Sequence, residues 1–326
     1  MPHRDAAAWP WVRARLLARL RKQESPASEA GAVVRIAVVT DSAAALPADW
    51  IAGLSGDGRL TVIPMPVMVG DEIYGEGDDD ISETIALALA SGTSVKTSRP
   101  SPGQFEQAYL AVQRRDYEAV VSVHISGGLS GTADAARLAA GRAGIPVDVV
   151  DSGTVGMALG MAVQKAVRVA GEGADSGAVA AAAAGQAART KVYFYVPSLE
   201  QLRRGGRIGT AASLWGTMLA IKPILGVDGG KIVPLEKVRS AVRAVARLEE
   251  LVAADASART AAEVRLAVHH FGSPAEAERL AERLGAALPQ CPPAQISSLP
   301  AVLAAHAGLG VLAVIVGSDL AADYAG

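Results

Sequence analysis

The chain has 326 residues, of which 50% are hydrophobic, and a formal net charge of −2. This length predicts about two domains of roughly 150 residues each, and with this near-neutral charge the protein as a whole has no signature of polyanion binding. The single cysteine, Cys291, excludes an intrachain disulfide framework and any multi-cysteine metal site. Neither a secretory signal nor a membrane-spanning stretch is visible, so we expect a cytoplasmic protein.

Residues 1–32 differ in composition from the rest of the chain. Six cations and one acid fall within residues 1–23, where Trp9, Val12, Leu16 and Leu20 have helical spacing. Both a helix on an anionic membrane surface and a helix packed on the protein itself fit this pattern. The small and polar residues 24–32 are typical of a linker, so we treat 1–32 as an extension.

Short apolar strands alternate with helices in residues 33–165. The predicted strands are Val33–Val39, Thr61–Val69, Ala119–Ile125 and Val147–Val150, and the predicted helices are Ile81–Ala90, Gln104–Arg114, Ala133–Ala143 and Val155–Ala170. Such alternation is typical of a parallel sheet covered on both faces, and therefore of an N-terminal α/β domain.

Residues 166–326 show a mixed pattern and predict a second α/β domain. The predicted strands are Val192–Val196, Arg265–His269 and Gly310–Val316, with a hairpin of Pro223–Val227 and Lys231–Leu235; the predicted helices are Ala178–Ala188, Val238–Ala253 and Pro274–Leu284. Glycines in the turn Asp228-Gly229-Gly230 favour the hairpin, and alanine favours the helix over 178–188.

Three predicted strands end in polar residues, at Asp41-Ser42, at Ser126 and at Asp151-Ser152. Ligands of open α/β sheets bind beyond the carboxyl ends of the strands, so these residues are candidates for a site. Serine and aspartate also cap the helices that follow strands, which leaves a purely structural role open.

The sequence "HISGGLSGT", from His124 to Thr132, joins such a strand to a helix. Ser130 can cap that helix, whose unpaired N–H groups and dipole favour an anion. Ser126 and Ser130 are therefore candidate hydroxyl donors to a carboxylate or phosphate. The loop lacks the second glycine of a G-x-S-x-G nucleophile elbow and the lysine of a phosphate-binding loop.

A second hydroxyl-rich stretch is "KTSRPSPGQF", from Lys96 to Phe105. Ser101, followed by Pro102 and Gln104, has the spacing of a capping box with proline at the first helical position. Thr97 and Ser98 have no such assignment, so their hydroxyls either bind a ligand or bond within their own loop. The histidines lack the spacing of a metal site, and we expect no metal.

These stretches together resemble the DegV family of fatty-acid-binding proteins. The motifs that carry the resemblance are "VVTDSAAALP" (38–47), "TSRPSPGQF" (97–105), "SGGLSGT" (126–132), "VDVVDSGTVGMALG" (147–160), "LRRGGRIG" (202–209), "IKPIL" (221–225) and "HAGLG" (306–310). They run in order through nearly all of the chain after the extension. Two positions depart from the family pattern, Gly127 for a second serine and Leu309 for a proline.

The resemblance implies a two-domain α/β fold with a long-chain fatty acid between the domains and no other cofactor. Such proteins are not enzymes themselves; they present the acid to a separate fatty-acid kinase subunit, which converts it to an acyl phosphate. Thr97 and Ser130 would hold the carboxylate, with Ser126, Ser98 and His270 nearby.

By the same resemblance Arg207 would contact the kinase. The sequence leaves two other functions open. One is a serine hydrolase that uses Ser130 with His270 or His306, and the other is a phosphosugar or nucleotide binder.

Overall fold

A computed structural model describes residues 35–75, 81–208 and 221–318, which belong to one compact unit. The extension 1–32, with its predicted membrane-surface helix, lies outside the described residues. The strands are β1 Ile36–Asp41, β2 Leu60–Ile63, β3 Val67–Val69, β4 Glu72–Tyr74, β5 Val95–Thr97, β6 Ala119–His124, β7 Val147–Asp151, β8 Lys191–Tyr195, β9 Lys222–Asp228, β10 Lys231–Val238, β11 Val264–His270, β12 Gln295–Ser298 and β13 Leu312–Ser318.

Helices connect most of these strands. They are α1 Ala48–Ser55, α2 Ile81–Ser91, α3 Pro102–Gln113, α4 Thr132–Ala140, α5 Met157–Gly171, α6 Ser176–Arg189, α7 Glu200–Arg204, α8 Ala241–Ser257, α9 Pro274–Ala287 and α10 Ala301–Ala307. None of the helices in the described ranges combines the length and apolar character needed to cross a membrane.

The N-terminal sheet is parallel, with strand order β2-β1-β6-β7. Every residue of β1 and β6 is buried, because helices cover both faces of these central strands. This explains why the two strands are near-continuous apolar runs in the sequence. The predicted parallel α/β sheet is confirmed.

The predicted strand Thr61–Val69 is wrong as one element. The stretch Pro64-Met65-Pro66 interrupts it, because proline has no N–H to donate to a ladder. β2 therefore ends at Ile63 on the edge of the parallel sheet, and β3 joins β4 and β5 in a separate three-stranded antiparallel sheet.

The C-terminal sheet has six strands in the order β10-β9-β8-β13-β11-β12, antiparallel except for the pair β11 and β12. The predicted hairpin is confirmed, and Gly229 and Gly230 both have positive φ, as a two-residue primed turn requires. β10 extends to Val238, so α8 begins at Ala241 with Ser240 as its cap rather than at Val238.

The structure confirms one of the two helix caps predicted from the sequence and contradicts the other. Ser101 forms the predicted capping box with Gln104 at the start of α3. The prediction that Ser130 caps α4 is wrong, because the helix begins one residue later and Gly131 is its cap. The hydroxyl of Ser130 instead lies 2.8 Å from that of Thr132.

The largest apolar core joins the two main sheets around α5. Val121 and Val123 of β6 belong to it together with Phe194 of β8 and Ile315 of β13. The domain boundary predicted at residue 165 falls within α5. The division into two domains stays a prediction for this chain, although each predicted region contains the sheet expected of it.

Candidate functional site

A narrow cavity lies between the parallel and the mixed sheet. Its volume is about 110 Å³. Its apolar lining consists of Met65, Ile125, Leu129, Val155, Val192, Phe194, Leu202, Val227, Ile232, Leu299, Val302, Leu303, Ala307, Val311, Ala313 and Ile315. Because so many side chains surround so little volume, the cavity is thin, and a flexible apolar chain fits it better than a bulky polar ring.

The polar side chains of the cavity gather mainly at one end. Thr97, at the end of β5, bonds to His306 of α10, with 2.8 Å between Oγ1 and Nε2. Arg207 donates from Nε to the carbonyl of Leu129, 3.2 Å away. Ser98, Arg99 and Ser130 also line the cavity. The end thus combines two cationic side chains with three hydroxyl groups.

Burial and the positive charge of Arg207 lower the pKa of His306 to about 4. The imidazole is therefore neutral near pH 7. A neutral ring with its proton on Nε2 donates to the Thr97 oxygen, which leaves the threonine hydroxyl free to donate to a ligand. The same arginine that disfavours imidazolium would favour a bound anion.

Two aspartates at strand ends hold the loop Ile125–Gly131 in place. Oδ2 of Asp41 accepts the N–H of Ile125 at 3.1 Å, and Oδ1 of Asp151 accepts the N–H of Gly127 at 3.0 Å. The polar strand ends are thus close together, as the sheet topology predicts, and these carboxylates serve the backbone of the loop.

The tip of the β9–β10 hairpin packs against the same loop. The hydroxyl of Ser126 donates to the carbonyl of Gly230 at 2.7 Å. A Cβ at Gly128 would lie 2.4 Å from that carbonyl oxygen, so only glycine allows this approach. Because Val227 and Ile232 of the hairpin line the cavity, the contact helps to close its wall.

The residues predicted from the sequence fall into two groups. Thr97, Ser98, Ser130 and Arg207 line the cavity; Ser126 and His270 are not among its lining residues. His270 lies on the face of β11 that packs on α8 and α9, because side chains alternate along a strand.

His269 lines the cavity in place of its neighbour and is held neutral. Its Nε2 accepts the N–H of Met157 at 3.1 Å, so Nδ1 carries the proton and donates to the hydroxyl of Ser297, 2.9 Å away. Complete burial lowers the pKa of His269 to about 4.

Both cavity histidines predict a loss of stability in mild acid. The unfolded chain binds a proton near pH 6.5 at each histidine, and the folded chain only near pH 4. Unfolding therefore takes up protons in this window, and the free energy of unfolding falls as the pH drops from about 6.5 towards 4. Urea unfolding at a series of pH values from 7.5 to 5 measures how the free energy of unfolding depends on pH.

In His306→Gln, unfolding is expected to take up as much as one proton fewer, so the free energy of unfolding should depend less steeply on pH. A free energy of unfolding that stays constant between pH 7 and 5 would contradict both pKa assignments. The window above pH 5 limits the contribution of carboxylates, which titrate mainly below it.

A second hydrogen-bonded chain lies in the core beneath the loop. His124 donates from Nδ1 to Asp41 at 2.9 Å, and its Nε2 is 2.7 Å from the hydroxyl of Ser122. That hydroxyl is 2.9 Å from the hydroxyl of Tyr109, and burial raises the pKa of Tyr109 to about 12. The connectivity is that of a catalytic triad, but all four side chains are buried, so no substrate reaches Ser122.

The geometry gives no support to a serine hydrolase that uses Ser130. Its hydroxyl bonds to Thr132, and no histidine of the described ranges is hydrogen-bonded to it, whereas a serine nucleophile requires a base in contact. Within the same ranges, no group of three or more His, Cys, Asp or Glu side chains has the arrangement of a metal site.

Sequence reasoning missed three polar residues of the cavity as ligand contacts. His306 stands in the motif "HAGLG", and Arg99 follows Thr97-Ser98 directly in the motif "TSRPSPGQF". His269 was passed over for its neighbour because one residue of strand register decides which histidine faces the cavity.

Comparison with known proteins identifies relatives over nearly all of the described chain. Residues 35–319 match a family described as uncharacterised proteins of the DegV family. A DegV domain-containing protein of Streptomyces coelicolor is 44% identical over 283 residues, which cover 87% of this chain and 98% of the relative.

Two solved structures are also similar. A DegV family protein from Thermus thermophilus, described by its fatty acid binding, is 32% identical with a TM-score of 0.79, over 87% of this chain and 99% of that one. DegV of Bacillus subtilis, described as a fatty acid binding protein, is 30% identical with a TM-score of 0.78, over 88% and 100%.

Proposed function

This chain belongs to the DegV family, and from that membership we propose that it binds a long-chain fatty acid in the cavity between its sheets. The observation that carries the proposal is the thin apolar cavity with hydroxyl groups and arginines at one end. A fatty acid has the matching distribution, a long apolar chain with one anionic head.

Burial of the acyl chain supplies most of the affinity. Each methylene removed from water contributes about 0.8 kcal/mol, so a chain of about sixteen carbons offers on the order of 10 kcal/mol before entropy costs. Aliphatic residues such as Val192 and Ile315 provide this environment because their side chains form no hydrogen bonds that the acyl chain would have to match.

The polar end of the cavity suits the carboxylate. Thr97 and Ser130 would donate hydroxyl hydrogen bonds, and Arg207 would neutralise the charge. The start of α4 adds N–H groups and the positive end of a helix dipole. Ser98 lies beside this group, while Ser126 would act through the hairpin that it anchors.

We further propose that the head group is presented to a separate kinase subunit, which phosphorylates the carboxylate. Thr97, Arg207 and His306 also line a vestibule outside the cavity, together with Lys96 and Arg204. A carboxylate at this place would be reachable from the vestibule while its chain stays buried. A cationic vestibule also suits the phosphate groups of a nucleotide. A nucleotide-dependent kinase partner would place this role in the cytoplasm.

Native mass spectrometry of the purified protein tests the binding proposal. The expected result is an added mass of one fatty acid that is released on denaturation, or uptake of palmitate or oleate by protein stripped of lipid. Protein that carries no acyl species and takes up neither acid would overturn the proposal.

Arg207→Ala tests how the arginine acts. If Arg207 neutralises the carboxylate, the variant is expected to bind palmitate about ten-fold more weakly, with a smaller loss for a fatty alcohol of equal length. If it contacts the kinase, acid binding stays intact and acyl-phosphate formation falls. Arg203→Ala is the matched control, since Arg203 is exposed and lines neither the cavity nor the vestibule. Equal behaviour of the two variants would exclude both roles.

A further inference from the structure

A second apolar space adjoins the cavity. It is a groove of about 510 Å³ at the ends of β1 and β2, and exposed residues such as Ala48 and Ser298 form its rim. Its floor is largely aliphatic, with Ala44, Leu46 and Val62 among the lining residues. Neither the proposed binding mode nor the motifs of the sequence assign a role to this groove.

Leu299 lies between the groove and the cavity, because it is a lining residue of both spaces. The residue is buried, and its N–H donates to the carbonyl of His270 at 2.7 Å, which fixes the backbone. The side chain can therefore change its rotamer while the backbone stays in place. Two hydrogen-bonded pairs also lie between the spaces: His269 of the cavity with Ser297 of the groove, and Met65 of the cavity with Ser42 of the groove.

The partition stands at a defined depth from the head-group end. Val302, Leu303 and His306 line the cavity along one face of α10, and Leu299 precedes this helix. With a rise of 1.5 Å per residue, Leu299 lies on the order of 10 Å from His306 along the helix axis. An extended long acyl chain that begins at Thr97 and His306 is long enough to reach it.

The chemistry of the groove fits an acyl tail rather than a carboxylate. Among its described lining residues the one charged group is Asp41, whose oxygens accept hydrogen bonds from His124, Ile125 and Ala43. One of its hydroxyl groups is already hydrogen-bonded within the protein, since Ser42 accepts the N–H of Met65. No cation faces the groove from the described residues, so it favours an uncharged apolar segment.

We propose that the groove receives the distal end of acyl chains too long for the cavity, and that Leu299 sets the length at which they enter it. The inference rests on the proposed fatty acid binding. It makes Leu299 a residue that determines specificity, because a chain that passes it gains apolar contacts which a shorter chain never reaches.

The test compares dissociation constants for saturated acids of about sixteen and about twenty carbons. In Leu299→Ala we expect the longer acid to bind about ten-fold more tightly relative to the shorter one, since four further methylenes are partly buried in the groove. Leu288→Ala is the matched control, because it truncates another buried leucine that lines neither space. Its ratio of dissociation constants should stay that of the wild type.

A filled groove should abolish the gain. Leu299→Ala combined with Ala48→Trp, which places a ring at the rim, is expected to restore the wild-type ratio. Should Leu299→Ala unfold, Leu299→Val opens the partition more mildly and should shift the ratio in the same direction. If the wild type binds both acids and neither Leu299 variant changes the ratio, the inference is overturned while fatty acid binding stands. A wild type that binds neither acid overturns both.

Discussion

Replacement of Thr97 with valine is expected to weaken the binding of a long-chain fatty acid by about ten-fold or more. Valine keeps the shape of the side chain and removes the hydroxyl that points to the polar end of the cavity. A hydrogen bond from a hydroxyl to a charged group contributes roughly 1.5–3 kcal/mol. Ser130→Ala should have an effect of similar size.

The contact between Thr97 and His306 predicts coupling between these two residues. His306 can orient the threonine hydroxyl only while that hydroxyl is present. His306→Gln should therefore weaken binding in the wild type, and should have little further effect in a Thr97→Val background. Isothermal titration calorimetry with palmitate, over the four proteins of this double-mutant cycle, measures the coupling.

A fatty alcohol of equal length provides the ligand control, since it keeps the chain and loses the carboxylate. Its affinity should change much less than that of the acid in Thr97→Val and Ser130→Ala. Thr93→Val is the matched protein control, because Thr93 is exposed and does not line the cavity. Wild-type affinity of both variants for the acid would show that these hydroxyls serve only their own loops.

Replacement of Asp41 with alanine is expected to destabilise the protein by about 3 to 5 kcal/mol. The carboxylate accepts hydrogen bonds from His124, Ile125 and Ala43 in a site without solvent. Its removal leaves all three donors buried without an acceptor. Urea unfolding at pH 7.5 measures the loss, which should appear as a lower midpoint with an unchanged slope.

Two further variants test whether this loss of stability comes from the buried hydrogen bonds. Ser122→Ala removes one hydroxyl from the same chain of hydrogen bonds and should cost less than Asp41→Ala. Asp71→Asn, at an exposed turn, should change stability by no more than about 0.5 kcal/mol. Because Asp41 also positions Ile125, Asp41→Asn should weaken fatty acid binding even where it folds. A loss below about 1 kcal/mol in Asp41→Ala would refute this account of the core.

Periodicity and composition along the chain were enough to predict the fold class. The buried strands β1 and β6 show as apolar runs, the hairpin shows in Gly229-Gly230, and the capping box shows in Ser101 and Gln104. Each of these signals is local, because burial on both faces, positive φ and a cap depend on a few consecutive residues. The short strands β4, β5 and β12 gave no signal, since three or four residues are too few to show a period.

The same distinction between local and tertiary information applies to the candidate site. The sequence alone determined that hydroxyl-rich loops follow strands in an α/β chain, and its motifs picked out Thr97, Ser98, Ser130 and Arg207, which do line one cavity. Only the tertiary structure decided that His306 meets Thr97, that His269 rather than His270 faces the cavity, and that Leu299 divides the cavity from a groove. These facts depend on strand register and on contacts between residues far apart in the chain, which no local pattern of residues encodes.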